Sequence, residues 1–189
     1  MQTRSTSPRL HDFFLTMARK SFGQLGVGDE TIIGYVAGLM TEFARADRLY
    51  ALREPRGDAI DSVVRIMVET HRAAEDDPSI ESARELRRYV GDYTLFMTGL
   101  FRTHVEKHGV LDYYLQEGRR SYWAVSELDL TMFRTGFLLF QQLSTNFEYY
   151  AGALDYMRKA YFAPLPGHSP FDQFLKEVEG WITTGVSDN

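Results

Sequence analysis

SIESARELRRYVGDYTLFMTGLF, residues Ser79–Phe101, is the stretch that decides the fold class. Ala83, Leu86, Val90, Tyr93, Met97 and Leu100 recur at intervals of three and four, the period of one helix face rather than the two-residue alternation of a strand. Beyond Val90 the apolar stripe widens until almost every position is apolar, which predicts a central helix enclosed on several sides. In the first half, Arg84, Arg87 and Arg88 alternate with Glu81 and Glu85 three or four residues apart and read as a solvated, ion-paired face. Asp92 interrupts the enclosed half, where a lone carboxylate is costly. It calls for a cation, and Arg134 is the expected partner in a buried polar pair, with Arg119 and Arg120 as alternatives; a substrate-facing carboxylate is the functional version of the same feature.

Helical spacing continues on both sides. Ser7 as cap and Pro8 at the first helical position open a first helix with Leu10, Phe13, Phe14, Met17 and Phe22 on one side. Gly23, Gly26 and Gly28 break it, and Asp29 caps a second helix with Ile32, Val36, Leu39 and Phe43, in which Gly34 and Gly38 offer a place for close helix approach. A connector over Asp47–Gly57 precedes a third helix opened by Asp58, carrying Ile60, Val63, Met67 and His71. After the central helix the pattern lapses over Thr103–Gly109. It resumes with Leu111, Leu115, Gly118, Tyr122 and Val125, where Gly118 marks a tight helix contact. A sixth segment runs from Leu130 to about Leu143 with Phe133, Phe137 and Phe140, and a seventh carries Phe147, Tyr150, Leu154, Met157 and Tyr161. Whether 129–162 is one helix or two stays open around Ser144–Asn146. Pro164, Pro166 and Gly167 then stop it before a short last helix with Phe171, Phe174, Val178 and Trp181.

No hairpin turn joins alternating runs and no repeat of helical-array length is present. The expectation is an all-α, irregular helical bundle of about seven or eight helices. It is read as a single domain over 1–189, with flexible ends at 1–6 and 184–189.

Composition narrows the function classes. Hydrophobic residues at 44% and charged residues at 25% are the balance of a globular core. The absence of cysteine removes disulfide frameworks, thiolate metal sites and cysteine nucleophiles. A net charge of −5 opposes a phosphate backbone, and the first helices carry no basic recognition face, so nucleic acid is not an expected partner. The apolar runs, such as Phe137–Phe140, are too short to span a bilayer and Met1–Ser7 leads into no apolar signal core; the expected location is the cytoplasm, without membrane insertion.

Few residues are arranged for chemistry. His104 and His108 stand four apart, so on a helix both rings point one way and can share a metal. The ordinary alternative is two partly exposed histidines at a frayed helix end. A third ligand would come from His71, Asp112, Glu117 or His168. The glutamate between the pair, Glu106, stands third rather than second, unlike the zinc-protease pattern. Neither Glu69-Thr70-His71 nor Glu106-Lys107-His108 has the Glu-x-x-His spacing of di-iron bundles. Ser-His-Asp arrangements and phosphate loops are also missing.

Arg88-Tyr89-Val90-Gly91-Asp92-Tyr93-Thr94 resembles the start of the distal-helix segment of haem oxygenases. The resemblance spans seven residues and implies His11 as a haem ligand. It departs from that family where Leu95 and Phe96 replace a glycine pair.

Aromatic residues crowd the second half. Tyr113 and Tyr114 are adjacent, as are Tyr149 and Tyr150, so one of each pair turns about 100° from the other. With Trp123 they are the candidate interface residues. The leading expectation is a non-enzymatic interaction or scaffolding protein with no cofactor, bound to a protein partner or to its own copies. The alternative is a helical oxidoreductase using a small ligand, a metal ion or haem.

Overall fold

The computed structural model describes residues 6–45 and 79–162, with 174, 176 and 177. The described residues contain seven α-helices and no strand: α1 (Thr6–Gln24), α2 (Glu30–Ala44), α3 (Ile80–Leu100), α4 (Arg102–Lys107), α5 (Leu111–Thr131), α6 (Phe137–Thr145) and α7 (Phe147–Tyr161). The protein is an all-α helical bundle. No helix among the described residues is long and apolar enough to cross a membrane. The connector over Asp47–Gly57, the helix expected from Asp58 and most of the expected last helix lie outside the described residues.

Two compact units are present. One comprises the described residues of Met1–Glu54 and Ala153–Asn189, the other those of Pro55–Gly152, so the division falls within α7. In the first unit α1 packs on α2. Helix α1 begins at Thr6, one residue before the expected cap, so Pro8 lies inside the first turn, where backbone N–H groups lack intrahelical acceptors and a proline is tolerated. Asp29 caps α2 as expected, accepting from the backbone N–H groups of Thr31 at 2.9 Å and Ile32 at 3.3 Å. Phe13, Phe14, Phe162 and Phe174 join in an aromatic cluster with centroids 5.3–6.5 Å apart. Among the described residues, a Cβ at Gly34 or Gly38 would meet nothing within 4 Å.

The second unit is organised by α3 and α5. Ser79 caps α3 by accepting from the Ser82 N–H at 3.1 Å, and Val90, Gly91 and the run Tyr93–Leu100 are buried, as all-round apolarity requires. The hydroxyls within that run bond back to the helix: Thr94 to the Val90 carbonyl at 2.8 Å and Thr98 to the Thr94 carbonyl at 2.7 Å. Two glycines receive aromatic rings. A Cβ at Gly91 would lie 2.7 Å from the Tyr122 ring, and one at Gly118 would overlap both the Phe147 ring and the Thr94 hydroxyl. Gly118 thus does mark a tight contact, between α5 and the start of α7.

Three helix boundaries differ from expectation. The lapse at Thr103–Gly109 is the short helix α4, ended by Gly109 at φ +68°. The sixth helix starts at Phe137 rather than Leu130, because α5 runs on to Thr131 and a turn intervenes. The stretch 129–162 contains the end of α5 and two further helices, α6 and α7, which part at Asn146.

The solvated arginine face is also corrected in part. Arg88 and Glu85 do sit there, but Arg84 is buried and grips the fully buried Asp129 of α5 with two parallel bonds, Nε to Oδ1 at 2.5 Å and Nη2 to Oδ2 at 3.1 Å. Hydrogen bonding to Asp129 raises the proton affinity of the Arg84 guanidinium above its ordinary value despite burial. The Phe140 ring lies beneath the guanidinium at 5.4 Å, and Arg87 reaches the buried Glu117 at 3.2 Å.

Gly118→Ala should lower unfolding stability by about 1–3 kcal/mol through overpacking, read as a lower midpoint in urea titration. Arg84→Met should cost about 3–5 kcal/mol by leaving Asp129 buried and unpaired, and adding Asp129→Leu should restore most of the loss.

Candidate interaction surface

Helix α5 has two faces of different character. Tyr114, Leu115, Gly118, Tyr122, Val125 and Asp129 are buried. At the same three- and four-residue spacing, Tyr113, Gln116, Arg120, Trp123, Glu127 and Leu130 face solvent. The outward stripe therefore carries three large apolar or aromatic side chains. Trp123 is 45% exposed and Leu130 52%.

The stripe leads into the turn Met132–Gly136. Phe133 adopts φ +54°, its N–H bonds to the Leu130 carbonyl at 3.1 Å, and the Arg134 N–H bonds to the Asp129 carbonyl at 2.8 Å. This pair of bonds is the Schellman ending of a helix, in which the left-handed position is ordinarily glycine. A phenylalanine there costs roughly 1–2 kcal/mol of backbone strain. Its ring gains no burial in return, being 97% exposed. The sequence places Phe133 on one apolar stripe with Phe137 and Phe140; the structure puts it outside, because the helix that would have carried that stripe starts four residues later. Leu138, on the first turn of α6, is exposed as well.

Beside the stripe lies an open groove of about 520 Å³, lined by Arg119, Arg120, Trp123, Ala124 and Glu127 of α5 and by Ser144 of α6. The Ser144 hydroxyl donates to the Arg119 carbonyl at 2.8 Å and ties the two helices together at the groove. In this unit Arg84, Arg87, Arg88, Arg102 and Arg134 each face a carboxylate. Arg119 and Arg120 have no ion pair among the described residues.

Tyr114 and Tyr150 belong to the core, while Tyr113 and Tyr149 are exposed, so each adjacent pair divides between inside and outside. Burial and the neighbouring Tyr93 push the Tyr114 phenol far above its ordinary range, so it stays neutral. Asp92 and Arg134 are not brought together. Asp92 accepts a hydrogen bond from the Tyr122 hydroxyl at 2.8 Å and has the Arg88 guanidinium 3.6 Å away, while Arg134 grips the exposed Glu81 at 2.5 and 3.1 Å. The expected pair fails because Arg134 lies beyond the end of α5, level with the first turn of α3, whereas Asp92 is three turns further along.

His104 and His108 do lie together at the end of α4, with ring centroids 4.3 Å apart. The His108 Nδ1–H donates to the His104 carbonyl at 2.8 Å, leaving Nε2 as its acceptor nitrogen when neutral. No group of three or more metal-binding side chains occurs among the described residues, so neither Asp112 nor Glu117 completes a site with the pair. Glu117 is the partner of Arg87, and His71 and His168 lie outside the described residues. His11 stands half-buried on α1 in the first unit. No family model, curated protein or solved structure matches the chain.

Burial, then the charges of His108 and Lys107, hold the His104 imidazole below its ordinary value of 6.5. The unfolded chain therefore takes up this proton at higher pH than the folded one, and folding stability falls as pH drops below about 6.5 until the folded imidazole also protonates. His104→Gln should flatten that part of the stability profile in urea titrations at successive pH values. An NMR titration of the His104 ring should give a midpoint below 6.5.

Proposed function

We propose that the protein is a non-enzymatic interaction protein that holds a protein partner, or a second copy of itself, against the outward stripe of α5 and the turn beyond it. The observation that carries this reading is Phe133, a large apolar side chain in a left-handed backbone position and in full contact with water. Both features oppose stability, and a residue kept at such a cost is one that serves a surface rather than the core. Trp123, Leu130 and Leu138 extend the apolar surface on α5 and α6, in line with the preference of interfaces for aromatic anchors among polar neighbours.

Phe133→Gly separates folding from binding. It should raise unfolding stability by about 1 kcal/mol, since glycine adopts the left-handed position without strain. It should also abolish photo-crosslinks formed in the native cell by benzoylphenylalanine placed at Leu130 or Leu138. Light scattering identifies whether the crosslinked species is a second copy. A strict monomer that forms no crosslink in the cell, or crosslinks that survive Phe133→Gly, would overturn the reading.

A further inference from the structure

We infer that the groove between α5 and α6 is a docking site for an acidic peptide segment of the partner, with a carboxylate held by Arg119 and Arg120 and an apolar side chain laid against Trp123. This deepens the reading of the protein as an interaction module and rests on it.

Charge carries the choice of occupant. The chain is acidic as a whole, at −5, and the five paired arginines of this unit are already matched with carboxylates. Arg119 and Arg120 are both on the groove wall, unmatched among the described residues, and Glu127 is the one carboxylate beside them there. Two guanidiniums against one carboxylate leave a net positive groove on a negative protein. Guanidinium recognises carboxylate through paired N–H donors, so an anionic segment is the complementary ligand.

Spacing sets the pattern that the ligand needs. Trp123 lies three residues after Arg120 and four after Arg119, hence one helical turn along α5, about 5.4 Å. In an extended peptide, side chains two residues apart project to the same side about 6.6 Å from one another. An acidic residue followed, one position removed, by an apolar or aromatic one therefore meets both features at once. Ala124 and Ser144, the small residues of the lining, leave room for a side chain to lie beside the indole.

The test uses the full chain and a fluorescein-labelled twelve-residue peptide of Asp-Gly-Phe repeats, followed by fluorescence anisotropy, with Asn-Gly-Phe and Lys-Gly-Phe repeats as comparators. The acidic peptide should bind saturably, the neutral one about fivefold or more weaker, and binding of the acidic peptide should fall as salt rises. The double variant Arg119→Glu with Arg120→Glu, at exposed positions, should lose the acidic peptide and gain the basic one, while Trp123→Ala should weaken the acidic and the neutral peptide alike. Thermal melting confirms that each variant folds. Equal binding of acidic and neutral peptides, or a double variant that still prefers the acidic one, would overturn the inference. No saturable binding of the acidic peptide would overturn it too. In each of these cases Phe133-dependent crosslinks in the cell leave the interaction reading standing, and their absence removes both.

Discussion

Asp129 has no contact with solvent, and its carboxylate is held by the two parallel bonds from Arg84. A charge in that position near the C-terminal end of a helix is unfavourable by itself, since burial and the helix dipole both oppose it. The guanidinium offsets both, and the two side chains therefore fix α3 against α5 at one end of their contact. Neighbouring features are built around the pair. Gly136 is accommodated because a Cβ there would press on the Asp129 carboxylate at 3.1 Å, and Phe140 lies under the guanidinium. The backbone carbonyl of Asp129 also closes the turn that places Phe133 outside.

At the other end of the contact the fit is steric. Gly91 of α3 receives the Tyr122 ring of α5, and Gly118 of α5 lies against the Thr94 hydroxyl of α3 and the Phe147 ring of α7, so missing side chains make room for large groups. Tyr122 does double duty by donating to Asp92, which gives that carboxylate a partner inside the apolar half of α3. The inward face of α5 is thus committed to packing and ion pairing. Its outward face is left with Tyr113, Trp123 and Leu130 in water, a distribution that packing within this unit does not explain.

The long helices were legible in the sequence because each has its own periodic stripe, and the start of α2 was legible through its cap, Asp29. Short segments were less legible. Helix α4 is six residues long and has no side-chain cap, so nothing local distinguishes it from a lapse in the pattern. Phe133 continues the spacing of Phe137 and Phe140 and so looks like a core residue; the left-handed turn that breaks the register leaves no glycine to mark it. In the candidate surface, Trp123, Tyr113 and Tyr149 were visible as surplus aromatics, but the groove beside them was not, since Arg119 and Arg120 look like any other arginines in a mixed-charge chain.

The sequence by itself determined the all-α class, the long central helix and the absence of the usual catalytic and thiolate motifs, because periodicity and residue type are local properties. Only the tertiary structure decided which arginines are buried, which of each tyrosine pair faces outward and where Asp92 finds its partners. These depend on contacts between residues 30 to 53 positions apart, such as Asp92 with Tyr122, Arg84 with Asp129 and Glu81 with Arg134. No local spacing rule encodes such pairings; they are set by how one helix is turned against another.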